Sequence, residues 1–203
     1  KKLKRFLDEY EISLVLDEAR TGFGRTGRWF GIEHWNVVPE IICTGNSMAS
    51  GIPLAATISK AEIMDWESGS HLSSSGGNPI ACAASLETIE VIREERLIEN
   101  SIKQGNHLIK LFKEAQEKYE IIGDVRGKGL MIGIEPKLRT PGIEEADRIL
   151  KKSIRQGVLL SKRGLSTLCL APPLTIKRDA AEEGFRIIEA AMKEVLEETK
   201  HEI

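Results

Sequence analysis

Little in this sequence marks it for a specialised surface or compartment. Its 203 residues carry a formal net charge of −2, so electrostatics give no reason to expect nucleic acid or an anionic membrane as partner. No apolar run approaches the roughly 20 residues of a membrane span, and the opening KKLKRFLDEY is too charged for a secretory signal. Cysteine is scarce: Cys43, Cys82 and Cys169 are odd in number, far apart and set in apolar surroundings. That pattern argues against a disulfide framework or a metal site and predicts small buried hydrophobes in a reducing compartment. Internal repeats and low-complexity linkers are missing too. These absences leave a cytoplasmic globular protein as the expectation.

What is present is an α/β pattern. ISLVLDE (Ile12–Glu18) is a short apolar run ending in two carboxylates, EIIC ends a second run at Cys43, and PLAATIS (Pro53–Ser59) is a third. Continuous apolar character predicts strands covered on both faces, as in a parallel sheet. After GGNP, Pro79 sits where a helix begins, and a second helix runs from Leu97 to about Tyr119. IIGDVRGKGLMIGIE reads as two strands around a glycine turn, EEADRILKKSIRQ as an amphipathic helix, and GVLLS and STLCLAPPL as further strands. A charged helix from Arg178 to about Glu198 follows. Strands alternating with helices give an α/β architecture, with a soft boundary between residues 1–96 and 97–203. The few buried-type strands before that boundary make the first part look like a piece of a larger sheet.

Several motifs carry chemistry or imitate it. GFGRTG (Gly22, Gly24, Gly27) satisfies G-x-G-x-x-G after a strand. A dinucleotide site would need the last glycine to open a helix, yet Trp29 and Phe30 follow where small residues are required. Asp17 and Glu18 stand at a strand's carboxyl end, where open α/β sheets bind ligands; turn chemistry is the plainer reading. His34, His71, His107 and His201 have no metal-ligand spacing. His34, among aromatics, is expected to be packed, and His107 and His201 to be solvated. Ser73 to Ser75 lack a nucleophile-elbow context. SSSGGNP reads instead as a polar loop feeding a helix start, a position where free N–H groups can hold an anion.

Taken in order, LVLDEARTGFGRTGRWFGIEHWNVVPEII, GIPLAATISKAEIMD, GGNPIACAASLETIEVI, VRGKGLMIGIE and LAPPLTI resemble the class III aminotransferases. These are pyridoxal-phosphate enzymes of fold type I that include 4-aminobutyrate, ornithine and acetylornithine aminotransferases. The resemblance implies that residues 1–96 are the C-terminal part of the large, mostly parallel, cofactor-binding domain, and that residues 97–203 are the small α/β domain. It also implies homodimers, and turns GFGRTG into a structural and subunit-contact loop.

By resemblance, Asp17 would hold the pyridine nitrogen of pyridoxal 5'-phosphate in its protonated form. The family's cofactor-bonding lysine follows a glycine in the segment that here reads CTGNSMASGIPL, which puts Asn46 at the lysine position behind Gly45. An amide nitrogen is not basic and cannot bond covalently to the cofactor aldehyde or carry its proton. Lys60 lies at the far end of the next strand and cannot stand in. Three further positions depart: Arg20 replaces a glutamine near the cofactor ring, Ser74 and Ser75 replace a threonine–aromatic pair at the phosphate, and Cys169 replaces an arginine that clamps the substrate carboxylate. A charge-assisted pair contributes about 1.5–3 kcal/mol, so losing the arginine weakens capture roughly ten- to a hundredfold. The resemblance covers about the C-terminal half of a family member. The expectation is therefore a truncated relative that does not transaminate alone. The alternatives are the C-terminal half of a split, active enzyme, or a non-catalytic association module.

Overall fold

The computed structural model describes residues 1–137 and 145–201, with His201 by its backbone alone. The chain divides into two compact units, Lys1–Ile98 and Glu99–Ile203.

The first unit opens with a helix not among the expected elements, α1 (Lys2–Glu9). It is pinned by Lys4, which pairs with Asp8 one turn on and with Glu40 at 2.8 Å. Glu40 also accepts the Leu14 N–H at 2.8 Å. The strands follow as β1 (Val15–Asp17), β2 (Ile41–Thr44) and β3 (Ala56–Ser59), in the order β1-β2-β3. β1 and β2 are parallel, with Asp17 level with Cys43. β3 returns antiparallel, Ile41 facing Ser59. This departs from an all-parallel reading, because β2 reaches β3 without the crossover helix that parallel neighbours need. Helix α2 (Pro79–Glu94) follows.

Coverage is the larger difference in this unit. Strands expected to be buried on both faces leave Val15 54% and Ile58 49% exposed, and few apolar side chains are fully buried, among them Phe23, Ala49, Ala81 and Ile92.

The second unit has what the first lacks. After α3 (Leu97–Lys118) come β4 (Ile122–Lys128) and β5 (Met131–Pro136), joined by the expected glycine turn with Gly129 at φ 52°. Helix α4 (Glu145–Arg155), β6 (Ser161–Arg163), β7 (Thr167–Leu170) and α5 (Arg178–His201) complete it. The strand over GVLLS forms later than expected, at Ser161–Arg163. The sheet runs β4-β5-β7-β6, antiparallel throughout. Alternation along β5 and β7 sends Ile132, Ile134, Leu168 and Leu170 into one core with residues such as Leu108, Phe112, Ile149, Ile188 and Met192. Phe112 and Phe185 meet edge to face with centroids 4.9 Å apart. Gly105 lets α3 lie on the β4–β5 turn, since a Cβ there would overlap the Gly129 carbonyl. Nearby, Ser101 Oγ accepts the Leu130 N–H at 3.2 Å.

Cysteine placement corrects the expectation of burial. Cys82 is exposed, Cys43 and Cys169 are half-buried, and all three are free thiols. Cys169 alternates away from the core between Leu168 and Leu170, and Cys43 lies in the thinly covered first sheet. Among the described residues no cluster of His, Cys, Asp and Glu could hold a metal, and no helix is long and apolar enough to cross a membrane.

Candidate functional site

The turn after β2 is built for close approach. Gly45 has an extended backbone, and a Cβ on it would sit 3.3 Å from the Ala55 Cβ and 3.4 Å from the Leu54 carbonyl. Asn46 then takes a left-handed φ of 54° and opens a 3-10 turn (Asn46–Ala49), which Ser50 closes at φ 47°. Asparagine tolerates that conformation better than most residues. Its side chain is exposed and faces a cavity of about 1140 Å³ also lined by Thr44, Trp66, His71, Ser73 and Ser75. Thr44 is 3% exposed, and its hydroxyl is buried without a hydrogen-bond partner.

The two carboxylates at the end of β1 have separate jobs. Glu18 turns inward, 4% exposed. It accepts the N–H groups of Gly31 at 2.9 Å and Ile32 at 2.8 Å, and the Thr21 hydroxyl. Its carbonyl accepts the Gly22 N–H at 2.9 Å, which anchors the TGFGRTG loop. The plainer turn-chemistry reading therefore holds for Glu18. Asp17 is exposed and accepts the Ala19 N–H through Oδ1 at 2.9 Å. That leaves capacity for another donor at the same sheet end from which Asn46 emerges.

The glycine loop is no nucleotide cradle. Gly24 and Gly27 supply φ values of 85° and 84° for turns, and the next helical segment is a short 3-10 stretch, Gly31–Trp35. Phe23 and Phe30 pack edge to face inside it.

The helix start at GGNP does not offer the free donors anticipated for an anion. Pro79 has no N–H, Asn78 Oδ1 accepts those of Ile80 at 2.9 Å and Ala81 at 3.4 Å, and the Asn78 carbonyl takes that of Cys82. Ser73 Oγ accepts the Gly76 N–H at 2.9 Å.

His34 is held as expected, its Nε2 3.0 Å from the Thr26 carbonyl. His107 is not solvated as expected. Its Nε2 lies 2.9 Å from Glu182, which also takes Arg178 at 2.8 Å, and Arg178 first and His107 second hold the Glu182 carboxyl below the usual range. The side chain of His201 lies outside the described residues.

The cavity thus gathers Asn46 with Ser75, while Asp17, Arg20 and Ser74 are not among its lining residues. Arg20 is exposed in the turn after β1. Cys169 belongs to the second unit, on the open face of its sheet. Arg126 lies in the same cross-strand row, separated from Cys169 by Gly133. Arg126 does not take over a carboxylate clamp there, because Asp124 at 2.6 Å and Glu135 at 2.8 Å already claim it and push its guanidinium further up. Sequence reasoning gave no role to Thr44 or His71. A threonine after an apolar run and a histidine in a polar loop carry no periodic signal; only the fold brings them to one cavity.

Comparison with known proteins places this geometry. The family described as Aminotransferase class-III matches residues 1–192. An alanine/serine racemase of Pyrococcus horikoshii is 42% identical over 97% of this chain and 42% of its own length. An acetylornithine aminotransferase of Caldanaerobacter subterraneus is 32% identical over 96% of this chain and 48% of its own length. A transaminase structure from the marine bacterium Virgibacillus superposes with a TM-score of 0.93 at 30% identity, covering 98% of this chain and 48% of that one. The chain spans about half the length of the relatives it matches, and it belongs to the class III aminotransferase family.

Proposed function

We propose that this chain is a class III aminotransferase relative that does not transaminate alone, because Asn46 stands where the family's cofactor-bonding lysine belongs. One observation carries the reading. The turn after β2 has the small residues and left-handed geometry needed to present a side chain into a cavity, and the side chain presented is an amide. Relatives described as racemases and as aminotransferases both act on amino acids, so amino acids are the ligand class the cavity descends from.

The residues present fit pyridoxal 5'-phosphate only in part. Asp17 suits a protonated ring nitrogen, having capacity left after its bond to Ala19. Asn46 does not suit covalent attachment, and among the described residues no lysine or arginine lines the cavity. By family resemblance Arg20 and Ser74 are residual cofactor contacts and Cys169 marks the lost substrate arginine. Residues 1–96 are read as the C-terminal part of the large domain and 97–203 as the small domain.

Partners follow from coverage. The exposed apolar strands of the first unit suit either a second copy or a polypeptide supplying the other half of the fold. The second reading, a split enzyme active with that other half, meets the same obstacle at Asn46. The test is incubation of the pure chain with pyridoxal 5'-phosphate and amino donors, followed by spectrophotometry and amino-transfer assays. No cofactor-linked absorbance and no transfer is the expected result; turnover would overturn the reading.

A further inference from the structure

We infer that the cavity between the TGFGRTG loop and α2 takes a small neutral aromatic molecule with one hydrogen-bonding group, of the phenol type. It lies across the sheet from Asn46, so the inference is independent of the Asn46 reading and of any cofactor chemistry.

Alternation along the strands separates the two cavities. Cys43 and Thr57 face one side of the sheet, with the Asn46 cavity, and Thr44 and Ile58 face the other. On that second side opens a cavity of about 400 Å³, within the range of roughly 300–1,000 Å³ usual for small-molecule sites. Phe23, Trp29 and Phe30 reach it from the glycine loop and its continuation, Met48 from the 3-10 turn, Ile58 from β3 and Ile89 from α2.

This lining selects shape and charge. Phe23 and Phe30 are held edge to face with centroids 6.1 Å apart, so a planar ring entering the space meets aromatic surfaces already fixed in place. Met48 adds a polarizable thioether, which makes favourable contacts with rings. Charge is not offered. Among the described lining residues the charged one is Arg93, whose side chain is more than half exposed and already paired with Glu90 at 3.2 Å. A neutral ligand follows.

Thr44 is a second, independent sign of a ligand. It borders both cavities but is 3% exposed, and its hydroxyl is turned toward the loop: a Cβ on Gly22 would lie 3.4 Å from that oxygen and 3.5 Å from the Phe30 ring. The hydroxyl has no hydrogen-bond partner, although buried polar groups ordinarily have one. A purely apolar occupant would leave it orphaned. A ring with one polar substituent supplies the missing bond and fills the apolar space together.

The test labels the methionine methyl groups of the 203-residue chain with carbon-13 and titrates it with phenol and, separately, with toluene, which has nearly the same shape but no hydroxyl. Met48 lines this cavity, Met64 lines the one beside Asn46, and Met131 and Met192 belong to the second unit. Their signals, assigned through methionine-to-leucine variants, therefore report where a ring binds. Phenol should move the Met48 signal and leave the other three nearly still. Thr44→Val should lower the ratio of phenol to toluene affinity about three- to tenfold, as loss of one neutral hydrogen bond requires. No selective Met48 response, or an unchanged ratio in Thr44→Val, overturns the inference. So does a Met48 signal that shifts with chain concentration alone, which would give the cavity to a side chain of a second copy. Should Thr44→Val fail to fold, Ile58→Phe at a half-exposed strand position decides instead: it narrows the cavity and must weaken phenol binding at Met48, and unaltered affinity overturns the inference.

Discussion

At the scale of single residues, the account turns on what Asn46 and a few buried groups can do. Asn46→Lys restores a primary amine at a turn already shaped to present one. After incubation with pyridoxal 5'-phosphate and borohydride it should gain a mass increment mapping to position 46, with Asn46→Gln as the inert control; equal behaviour of the two variants would contradict the assignment. Glu18 is a different case, a carboxylate consumed by structure. Glu18→Ala leaves two backbone donors unsatisfied and should cost about 1–3 kcal/mol, read as a lower urea midpoint of the transition that exposes the TGFGRTG loop. Gly105→Ala forces a methyl group into the Gly129 carbonyl. Backbone on both sides resists, so the loss should exceed about 2 kcal/mol, measured by thermal or urea unfolding. Asn46 is assigned to the family's lysine position by resemblance, through Gly45 and the small residues that follow it in order. His71 carries no such signal, since nothing local distinguishes a loop residue that lines a cavity from one that does not until the chain is folded.

At the scale of elements, helices with strong apolar spacing were legible to within a few residues. Pro79 opens α2, and Leu97 and Arg178 open α3 and α5, because proline at the first turn and long apolar periodicity are local signals. Strand limits were less legible: PLAATIS pairs only over Ala56–Ser59, and GVLLS pairs only from Ser161. Pairing is decided by the partner strand, which sequence does not show. Helix α1 does carry a local signal, with Leu3, Phe6, Leu7 and Tyr10 at helical spacing among the charged residues of KKLKRFLDEY, whereas its anchor, Glu40, is distant in sequence. The helices of the second unit are stapled by ion pairs. Lys152 and Arg148 on α4 hold Glu198 of α5, each at 2.7 Å, and lower its carboxyl, Lys152 more than Arg148. Glu182 is lowered likewise, and in the first unit Glu40 is lowered by Lys4 and then by the Leu14 N–H. A depressed carboxyl contributes stability that is fully present above its unfolded pKa, about 4.3 for glutamate, and is lost as pH falls through the lower folded value. Unfolding free energy should therefore be level from pH 7 to about 5 on this account and decline below that. Glu198→Gln should flatten part of the decline, measured by urea titration at each pH. An unchanged slope would remove Glu198 from the explanation.

For the whole molecule, the two units differ in how complete they are. The second encloses one continuous core, from Leu108 and Phe112 through Ile134 and Leu168 to Met192 and Val195. The first leaves its strands thinly covered, with Val15 and Ile58 about half exposed. Residues 99–203 expressed alone should therefore unfold cooperatively, whereas 1–98 alone should show weak or absent cooperativity by circular dichroism. Unpaired strand edges and exposed apolar surface favour association, and a net charge of −2 gives little repulsion against it. Light scattering of the full chain should report species larger than a monomer, and a clean monomer at tens of micromolar would contradict this. The central claim, however, concerns the missing amine, and one measurement reaches it directly: borohydride reduction of the purified chain after equimolar pyridoxal 5'-phosphate, followed by intact-mass spectrometry. The account predicts an unmodified mass, and a stoichiometric cofactor adduct on any side chain would contradict it.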